Sequence, residues 1–198
     1  MDFFNEVIRF NLPNSDISYY PNFIGKQKAD SYLKQLKENI PWQQDDIKVF
    51  GKVYAQPRLT ALFDNNGKSY SYSNIIMNPN PFTPELLELK TAVESNAKVN
   101  FTTCLLNLYR DGKDSNGWHS DDETELGINP VIASISLGEE RFFHLRYKND
   151  KGLKQKVLLQ HGSLLLMKGE TQHFWQHQIP KTAKQIKERI NLTFRVVH

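Results

Sequence analysis

From Phe101 onward the sequence consists of short segments rich in branched and aromatic residues, and this pattern constrains the fold more than any other feature. The segments run Phe101 to Tyr109, Val131 to Leu137, Arg141 to Tyr147, Ser163 to Met167 and Ile190 to Val197. Such runs are typical of β-strands. Glycines at 112, 117, 127, 138, 152 and 162 lie between or beside them, where turns are needed. We therefore predict an antiparallel sandwich or jelly roll.

The first hundred residues predict two helices within mixed structure. The first spans about Lys26 to Asn39 and is ended by Pro41. The second begins at Pro84, which suits a first helical turn, and Thr83 can cap it. The apolar faces are Tyr32, Leu33, Leu36 and Ile40 in the first helix, and Leu86, Leu87, Leu89 and Val93 in the second.

Composition favours one domain in a reducing compartment. A chain of 198 residues with 39% hydrophobic content can bury one sizeable core. The single cysteine, Cys104, excludes an intramolecular disulfide framework and a multi-cysteine zinc site, so the cytoplasm is the default location. Acidic residues at the start and the lack of a long apolar run predict neither a secretory signal nor a membrane span. The formal charge of +3 is compatible with a polyanionic partner, and nothing requires more than a monomer.

The triplet His119-Ser120-Asp121 is a candidate half of a metal site. In an extended segment, residues two apart point to the same face. A third ligand would complete two histidines and one carboxylate, which leave three positions open, as iron(II) oxygenases require. The competing histidines are His144, His161, His173, His177 and His198. A surface loop is the plainer interpretation of the triplet alone.

The last predicted strand has a polar side. Arg189, Asn191, Thr193 and Arg195 alternate with Ile190, Leu192 and Phe194. If the polar side faced inward it would be costly without a polar partner, and arginine pairs well with carboxylates. A dicarboxylate ligand would meet that need. The alternative is a strand whose polar side lies in water.

Taken in order, His119-x-Asp121, His177 and Arg189-x-Asn191-x-x-x-Arg195 resemble the motifs of the AlkB family of dioxygenases. The segments 107–112, 130–138 and 161–165 add to the resemblance, which covers roughly Val49 to the C-terminus. Within the family, the segments 49–52, 57–58, 117–123 and 189–195 resemble the animal homologue that repairs duplex DNA.

The resemblance implies an α+β fold with a double-stranded β-helix (jelly-roll) core, flanking N-terminal helices and a nucleotide-recognition lid. Residues 1–198 would form a single dioxygenase domain, with the helices and recognition region in about 1–100 and the catalytic core in about 101–198. It also implies the ligands. Iron(II) would be bound by the catalytic residues His119, Asp121 and His177, and 2-oxoglutarate by Asn107, Tyr109, Arg189 and Arg195, with Asn191 and Thr193 lining its pocket.

Two residues close in sequence to His177, namely His173 and Gln176, are not predicted to bind the metal. We expect His173 to be a partly buried neighbour rather than a ligand. Gln176 stands where relatives carry an aromatic residue, and would make one wall of the site more polar.

Substrate contacts follow from the same resemblance. Tyr72 and His119 would enclose a flipped base, with Tyr70 nearby, although a core or hairpin role is the alternative for both tyrosines. Phe50 would fill the gap left by the base, Gly51 would allow a tight turn, and Lys52 would meet phosphate, with an ordinary core position as the alternative for Phe50. Apart from the resemblance, a carboxylate next to the metal triplet would favour a cationic alkylated base, and Asp122 and Glu123 are the candidates; the alternative is that both are solvated loop charges. Further phosphate contacts are assigned to these residues: Arg58, Lys148, Lys151, Lys154, Lys156, Lys181, Lys184 and Lys187.

The implied activity is oxidative repair of alkylated DNA, duplex and also single-stranded, with lesions of the N1-methyladenine and N3-methylcytosine type. Oxygen and 2-oxoglutarate would be consumed, and the alkyl carbon would leave as formaldehyde. The alternatives are an AlkB-type oxygenase acting on RNA or protein, and a noncatalytic module that binds alkylated bases. In a eukaryote the location would be the nucleus.

Overall fold

The computed structural model describes residues 6–49, 52–65, 70–72 and 75–198. The elements up to residue 97 are β1 (Ile8–Phe10), β2 (Asp16–Tyr20), α1 (Lys26–Asn39), β3 (Asp46–Val49), β4 (Lys52–Ala55), β5 (Leu59–Asp64), β6 (Tyr70–Tyr72), β7 (Ile75–Met77) and α2 (Pro84–Ala97). The remaining elements are β8 (Thr103–Tyr109), β9 (Asn116–His119), a 3-10 helix (Thr124–Leu126), β10 (Ile132–Gly138), β11 (Arg141–Tyr147), β12 (Lys154–Leu159), β13 (Ser163–Lys168), α3 (Thr171–Phe174), β14 (Trp175–Ile179) and β15 (Arg189–Arg195).

Two antiparallel sheets form the centre of the fold. The large sheet has the order β1-β2-β13-β10-β15-β8-β5, and the small sheet has the order β12-β11-β14-β9. From β8 to β15 the chain passes repeatedly between the two sheets, with only β11 and β12 consecutive in one of them. This is the jelly-roll core predicted from the sequence. The strands β1, β2 and β5 extend the large sheet with chain from the first hundred residues.

The large sheet is buried on both faces, which decides where its polar side chains point. Ile190, Leu192 and Phe194 of β15 pack in one apolar cluster with the buried faces of α1 and α2. The alternating polar residues of β15 therefore face the space between the sheets, and all four are buried. The alternative of a strand with its polar side in water is wrong, because the sheet's other face carries the apolar residues and is covered by helices.

The helices agree with their predicted bounds. The α1 helix spans Lys26–Asn39, and α2 begins at Pro84, where Thr83 Oγ1 accepts a hydrogen bond from the Leu86 amide at 3.4 Å. One face residue was predicted wrongly, because Leu87 is 45% exposed. No helix in the described ranges is long and apolar enough to cross a membrane.

Two small hairpins stand apart from the main sheets. The strands β3 and β4 pair with each other, and so do β6 and β7. Every residue of β4 is exposed. Phe50 and Gly51 lie outside the described residues. The backbone of Tyr70 and Tyr72 is described as strand β6, but their side chains are not.

Candidate active site

Two strands of the small sheet bring the metal-ligand candidates together. His119 of β9 is the register partner of His177 of β14, and Asp121 follows two residues after His119. Their ligand atoms all lie within 4.8 Å of one another. Within the described part of the chain, no other group of three or more histidine, cysteine or acidic side chains meets in this way. The structure therefore selects His177 from the competing histidines.

The candidate ligands are held by surrounding hydrogen bonds. Arg195 Nη2 donates to Asp121 Oδ1 at 2.8 Å, and the Asp121 amide donates to Oε1 of the fully buried Gln172 at 2.9 Å. His119 Nδ1 lies 2.7 Å from the Gly117 carbonyl oxygen, which can only accept, so Nδ1 carries the proton. Such supports fix the orientation and tautomer of metal ligands.

The protonation states suit a divalent metal. Burial, followed by the neighbouring His119, lowers the pKa of His177 to about 3. Burial also lowers the pKa of His119. Burial alone would raise the pKa of Asp121, but the positive charge of Arg195 and the two histidines bring it down to about 2. Two neutral imidazoles and one carboxylate result at neutral pH, which is the form that binds metal and the donor set of iron(II) oxygenases.

A pocket adjoins the triad. It is lined by the three metal-ligand candidates and by all six residues predicted to hold 2-oxoglutarate, namely Asn107, Tyr109, Arg189, Asn191, Thr193 and Arg195. These six lie on the neighbouring strands β8 and β15 of the large sheet. The inward side of those strands therefore forms one wall of the site.

Arg189 is the residue in this wall that most clearly needs a ligand. It is 1% exposed, and its Nη2 donates to Ser136 Oγ at 2.9 Å. Its Nε and Nη1 are buried and make no hydrogen bond to any described residue. Burial lowers its pKa to about 10, so it remains charged at neutral pH. Buried charged donors without an acceptor are costly, and a carboxylate would satisfy them.

The other polar residues of the wall satisfy one another. Asn191 Nδ2 donates to Ser134 Oγ at 2.8 Å and to the Ile135 carbonyl at 3.0 Å, while Thr193 Oγ1 donates to Asn191 Oδ1 at 3.0 Å. Asn191 and Thr193 therefore shape the pocket between the two arginines of β15.

Arg58 is not where the sequence placed it. It was predicted to contact substrate phosphate, but it is 4% exposed and its Nε donates to Asn107 Oδ1 at 2.7 Å. A second bond runs from Nη1 to the Ser115 carbonyl at 3.1 Å. The side chain lies inward because Arg58 directly precedes β5, and β5 pairs with β8, the strand that carries Asn107. This contact leaves Nδ2 as the end of Asn107 that a pocket ligand can meet.

The structure describes only some of the residues that were predicted to bind the substrate. Lys52 is exposed on β4. Asp122 is exposed and pairs with Lys148 at 3.1 Å. Glu123 is partly buried, its Oε2 makes no hydrogen bond to a described residue, and burial together with Asp121 raises its pKa. Neither acid lines the pocket beside the triad.

Two minor expectations were wrong. Gln176 does not line the site. By strand alternation it faces away from His177, and its Oε1 accepts two bonds from Arg146, at 3.0 and 2.8 Å, on the outer face of the small sheet. His173 is exposed rather than partly buried.

Asn116 is among the pocket residues that were not predicted. It lines the same pocket, and its Nδ2 lies 3.2 Å from His119 Nε2. A regular strand would place residues three apart on opposite faces, so no sequence signal marks it.

Comparison with known proteins agrees with this geometry. Residues 16–195 match the model of the 2OG-Fe(II) oxygenase superfamily. The chain is 44% identical to "Alpha-ketoglutarate-dependent dioxygenase alkB homolog 3" of Bos taurus, over 93% of this chain and 67% of that protein. It is 34% identical to "DNA oxidative demethylase ALKBH2" of Homo sapiens, over 92% and 73%.

A solved structure shares the fold. The structure of OsALKBH1 superposes with a TM-score of 0.67 at 20% identity, and covers 96% of this chain and 100% of that one. With the jelly-roll core, the metal-ligand triad and the arginine-lined pocket in place, these likenesses assign the chain to a family. It belongs to the 2OG-Fe(II) oxygenase superfamily and, within it, to the AlkB-type dioxygenases.

Proposed function

We propose that this protein repairs DNA by removing alkyl groups from bases of the N1-methyladenine and N3-methylcytosine type. The observation that carries the proposal is the triad beside a pocket that buries the unpaired donors of Arg189. That combination fits a metal and a dicarboxylate together. The choice of DNA is supported by relatives whose names describe a DNA oxidative demethylase.

The chain's own residues then have separate tasks. His119, Asp121 and His177 would hold iron(II) at the pocket. Arg189 would pair with the distal carboxylate of 2-oxoglutarate. The Tyr109 ring lies beside Arg189, with its centroid 5.2 Å from the guanidinium carbon. When bound, iron and 2-oxoglutarate use oxygen to hydroxylate the alkyl carbon, giving succinate, carbon dioxide and, on release, formaldehyde.

Apolar side chains around the metal-ligand candidates would limit the access of water to the pocket. The Phe143 ring stacks on His177, with centroids 5.0 Å apart and planes at 27°. The pocket wall also includes Ile132, Leu159 and Met167, which are buried. A dry pocket strengthens the electrostatic hold on the cosubstrate and limits side reactions.

Recognition of the damaged base is assigned to two tyrosines, to His119 and to one acidic residue. Tyr72, with Tyr70 nearby, and His119 are proposed to enclose the flipped base. Of the two acids, Glu123 is favoured for a cationic base, because Asp122 is engaged by Lys148 and Glu123 is the one with a buried oxygen lacking a described partner.

The hairpin between β3 and β4 is the proposed finger. Phe50 would occupy the gap left by the base, with Gly51 at the turn and Lys52 on phosphate. Identity to the alkB homolog 3 proteins is higher than to the ALKBH2 proteins, and these names state no strand preference. Both single-stranded and duplex DNA are therefore proposed substrates.

The protein is proposed to act as a monomer and as a single domain. Strands from both halves of the chain share the large sheet, which supports one domain. The protein would be located with the DNA, in the cytoplasm of a bacterium or in the nucleus of a eukaryote.

The decisive experiment compares matched single- and double-stranded oligonucleotides that carry one N1-methyladenine. Release of formaldehyde and unmodified adenine should require iron(II), 2-oxoglutarate and oxygen, and should be lost in Asp121→Ala. Phe50→Ala should impair repair of the duplex more than repair of the single strand, and equal loss on both would exclude the finger role.

Two other results would overturn the proposal. Succinate formation without DNA repair would move the substrate to RNA or protein. Binding of the alkylated oligonucleotide that is indifferent to iron and 2-oxoglutarate, with no turnover, would indicate a noncatalytic module.

A further inference from the structure

Asn116 reaches the site because of an irregularity in the small sheet. His177 of β14 is opposite His119, whereas Ile179 is opposite Asn116, so two steps on β14 match three steps on β9. The extra residue forms a β-bulge, which turns a side chain to the other face. Asn116 and His119 consequently line one pocket although they are three residues apart.

The contact between these two side chains involves the metal-ligand atom itself. Nδ1 of His119 donates to Gly117, so Nε2 holds the lone pair and faces the triad. The Nδ2 group of Asn116 is the donor 3.2 Å from that nitrogen. The single lone pair of Nε2 can accept one hydrogen bond or bind one metal ion, so a metal bound to Nε2 would displace the hydrogen bond from Asn116.

The displaced amide group would stay in a pocket built for a dicarboxylate. Arg189, which meets the distal carboxylate, lies at one end of β15, and Arg195, which holds Asp121, lies at the other. Asn116 is beside His119, at the metal end of this pocket. An amide donor there is close to where the 2-oxo acid group of the cosubstrate meets the metal.

We propose that Asn116 is a cosubstrate-binding residue whose amide group donates to the 2-oxo acid end of 2-oxoglutarate. This rests on the pocket's being the 2-oxoglutarate site, and it needs no nucleic acid. Asn116 then has opposite effects on two ligands. It competes with the metal for the lone pair of His119, and it strengthens binding of the cosubstrate.

The test measures the two ligands separately. Binding of manganese(II) alone is followed by electron paramagnetic resonance. Binding of 2-oxoglutarate to the iron(II)-loaded protein, without oxygen, is followed by the visible charge-transfer absorption of the chelate. In Asn116→Ala the Kd for 2-oxoglutarate should rise about tenfold, the value of one hydrogen bond to a charged group. The Kd for manganese should stay the same or fall.

Two further variants separate this role from a structural one. Asn116→Gln keeps the amide and should bind 2-oxoglutarate better than Asn116→Ala. Asn116→Asp should bind it worse than Asn116→Ala, because two carboxylates repel. The control is Gln155→Ala, which removes an amide from β12 at the opposite edge of the same sheet and should match the wild type.

The outcomes are distinct. An Asn116→Ala protein that binds 2-oxoglutarate as the wild type does would overturn the inference. Equal weakening of metal and cosubstrate would overturn it too, because Asn116 would then only orient His119. A wild-type protein that fails to bind 2-oxoglutarate would refute the proposed function itself. Since Asn116 lies on an edge strand, Asn116→Ala should fold, and its thermal unfolding checks this.

Discussion

Arg195 Nη2 donates to Asp121 Oδ1 at 2.8 Å, so the last strand of the large sheet holds the carboxylate of the metal-ligand triad. The two residues are 74 positions apart in sequence, and both are almost completely buried. Loss of one partner would leave the other charge buried and unpaired. The ion pair therefore ties the metal site to the fold.

Replacing Arg195 should weaken metal binding. In Arg195→Met, Asp121 loses the positive charge that keeps its pKa low, and with it a fixed orientation. We expect the Kd for manganese(II) to rise roughly 10- to 100-fold, as for other supports of metal ligands. The matched control is Arg9→Met on the exposed strand β1. Unchanged manganese affinity in Arg195→Met would contradict this role of the ion pair.

Replacing Arg189 should lower the affinity for 2-oxoglutarate without lowering the stability of the ligand-free protein. Arg189→Met removes buried donors that have no described partner, so the ligand-free protein should be as stable as the wild type or more stable. Affinity for 2-oxoglutarate should fall by roughly 100-fold, because a charged bidentate contact is lost. Thermal unfolding with manganese, with and without 2-oxoglutarate, checks both effects. A large loss of stability without ligand would contradict the ligand-binding assignment of the free donors.

Arg58 should act through Asn107. We expect Arg58→Ala to raise the Kd for 2-oxoglutarate by about tenfold, since Asn107 loses the bond that orients its amide. Asn107→Ala should have a similar effect, and the double variant should be little worse than either, because the pair acts as a unit. The Kd is measured by titrating each variant with 2-oxoglutarate in the absence of DNA. If Arg58 instead contacts phosphate, Arg58→Ala will leave this titration unchanged and weaken only DNA binding.

Metal removal should lower the melting temperature. His119 and His177 lie on two strands and Asp121 follows the first of them, so the three ligands come together only in the folded state. Bound metal therefore stabilises that state by mass action, about 2.7 kcal/mol at 100 times the Kd. For a protein of this size the chelated form should melt roughly 5–10 °C lower. Calorimetry with and without chelator measures the shift. Asp121→Ala should show none, and a shift of the same size in that variant would place the metal elsewhere.

Stability should depend on Asp114 above about pH 4. Burial alone would raise the pKa of Asp114, but its bonds with Arg110, which include Nε to Oδ2 at 2.8 Å and Nη2 to Oδ1 at 2.9 Å, hold the pKa below the usual value. A lowered folded-state pKa contributes stability above the unfolded-state value, near 3.9, and loses it as the pH falls through the folded value.

Asp114→Asn should therefore be less stable than the wild type at pH 7, and the difference should shrink below about pH 4. Denaturant unfolding across this pH range measures it, with the exposed Glu38→Gln as the control. A difference that stays constant down to pH 2 would show that packing, rather than charge, is lost.

Much of this protein follows from local pattern. The bounds of α1, the start of α2 and the segments that became β8, β10, β11, β13 and β15 were predictable, because period and capping are properties of neighbouring residues. The metal-ligand motif and the alternation of polar and apolar residues in β15 could also be recognised in the sequence. What escaped prediction were short strands such as β9 and β14, whose polar residues reflect the site rather than strand propensity.

The sequence by itself determined which side chains share a face of a strand, and through its family resemblance it determined the order of the ligands. Tertiary structure decided which face meets water, because that depends on what packs there from elsewhere in the chain. Helices over the large sheet turned the polar side of β15 inward. Pairing of β5 with β8 buried Arg58, and the bulge opposite β14 brought Asn116 to His119, since register between distant strands sets such contacts.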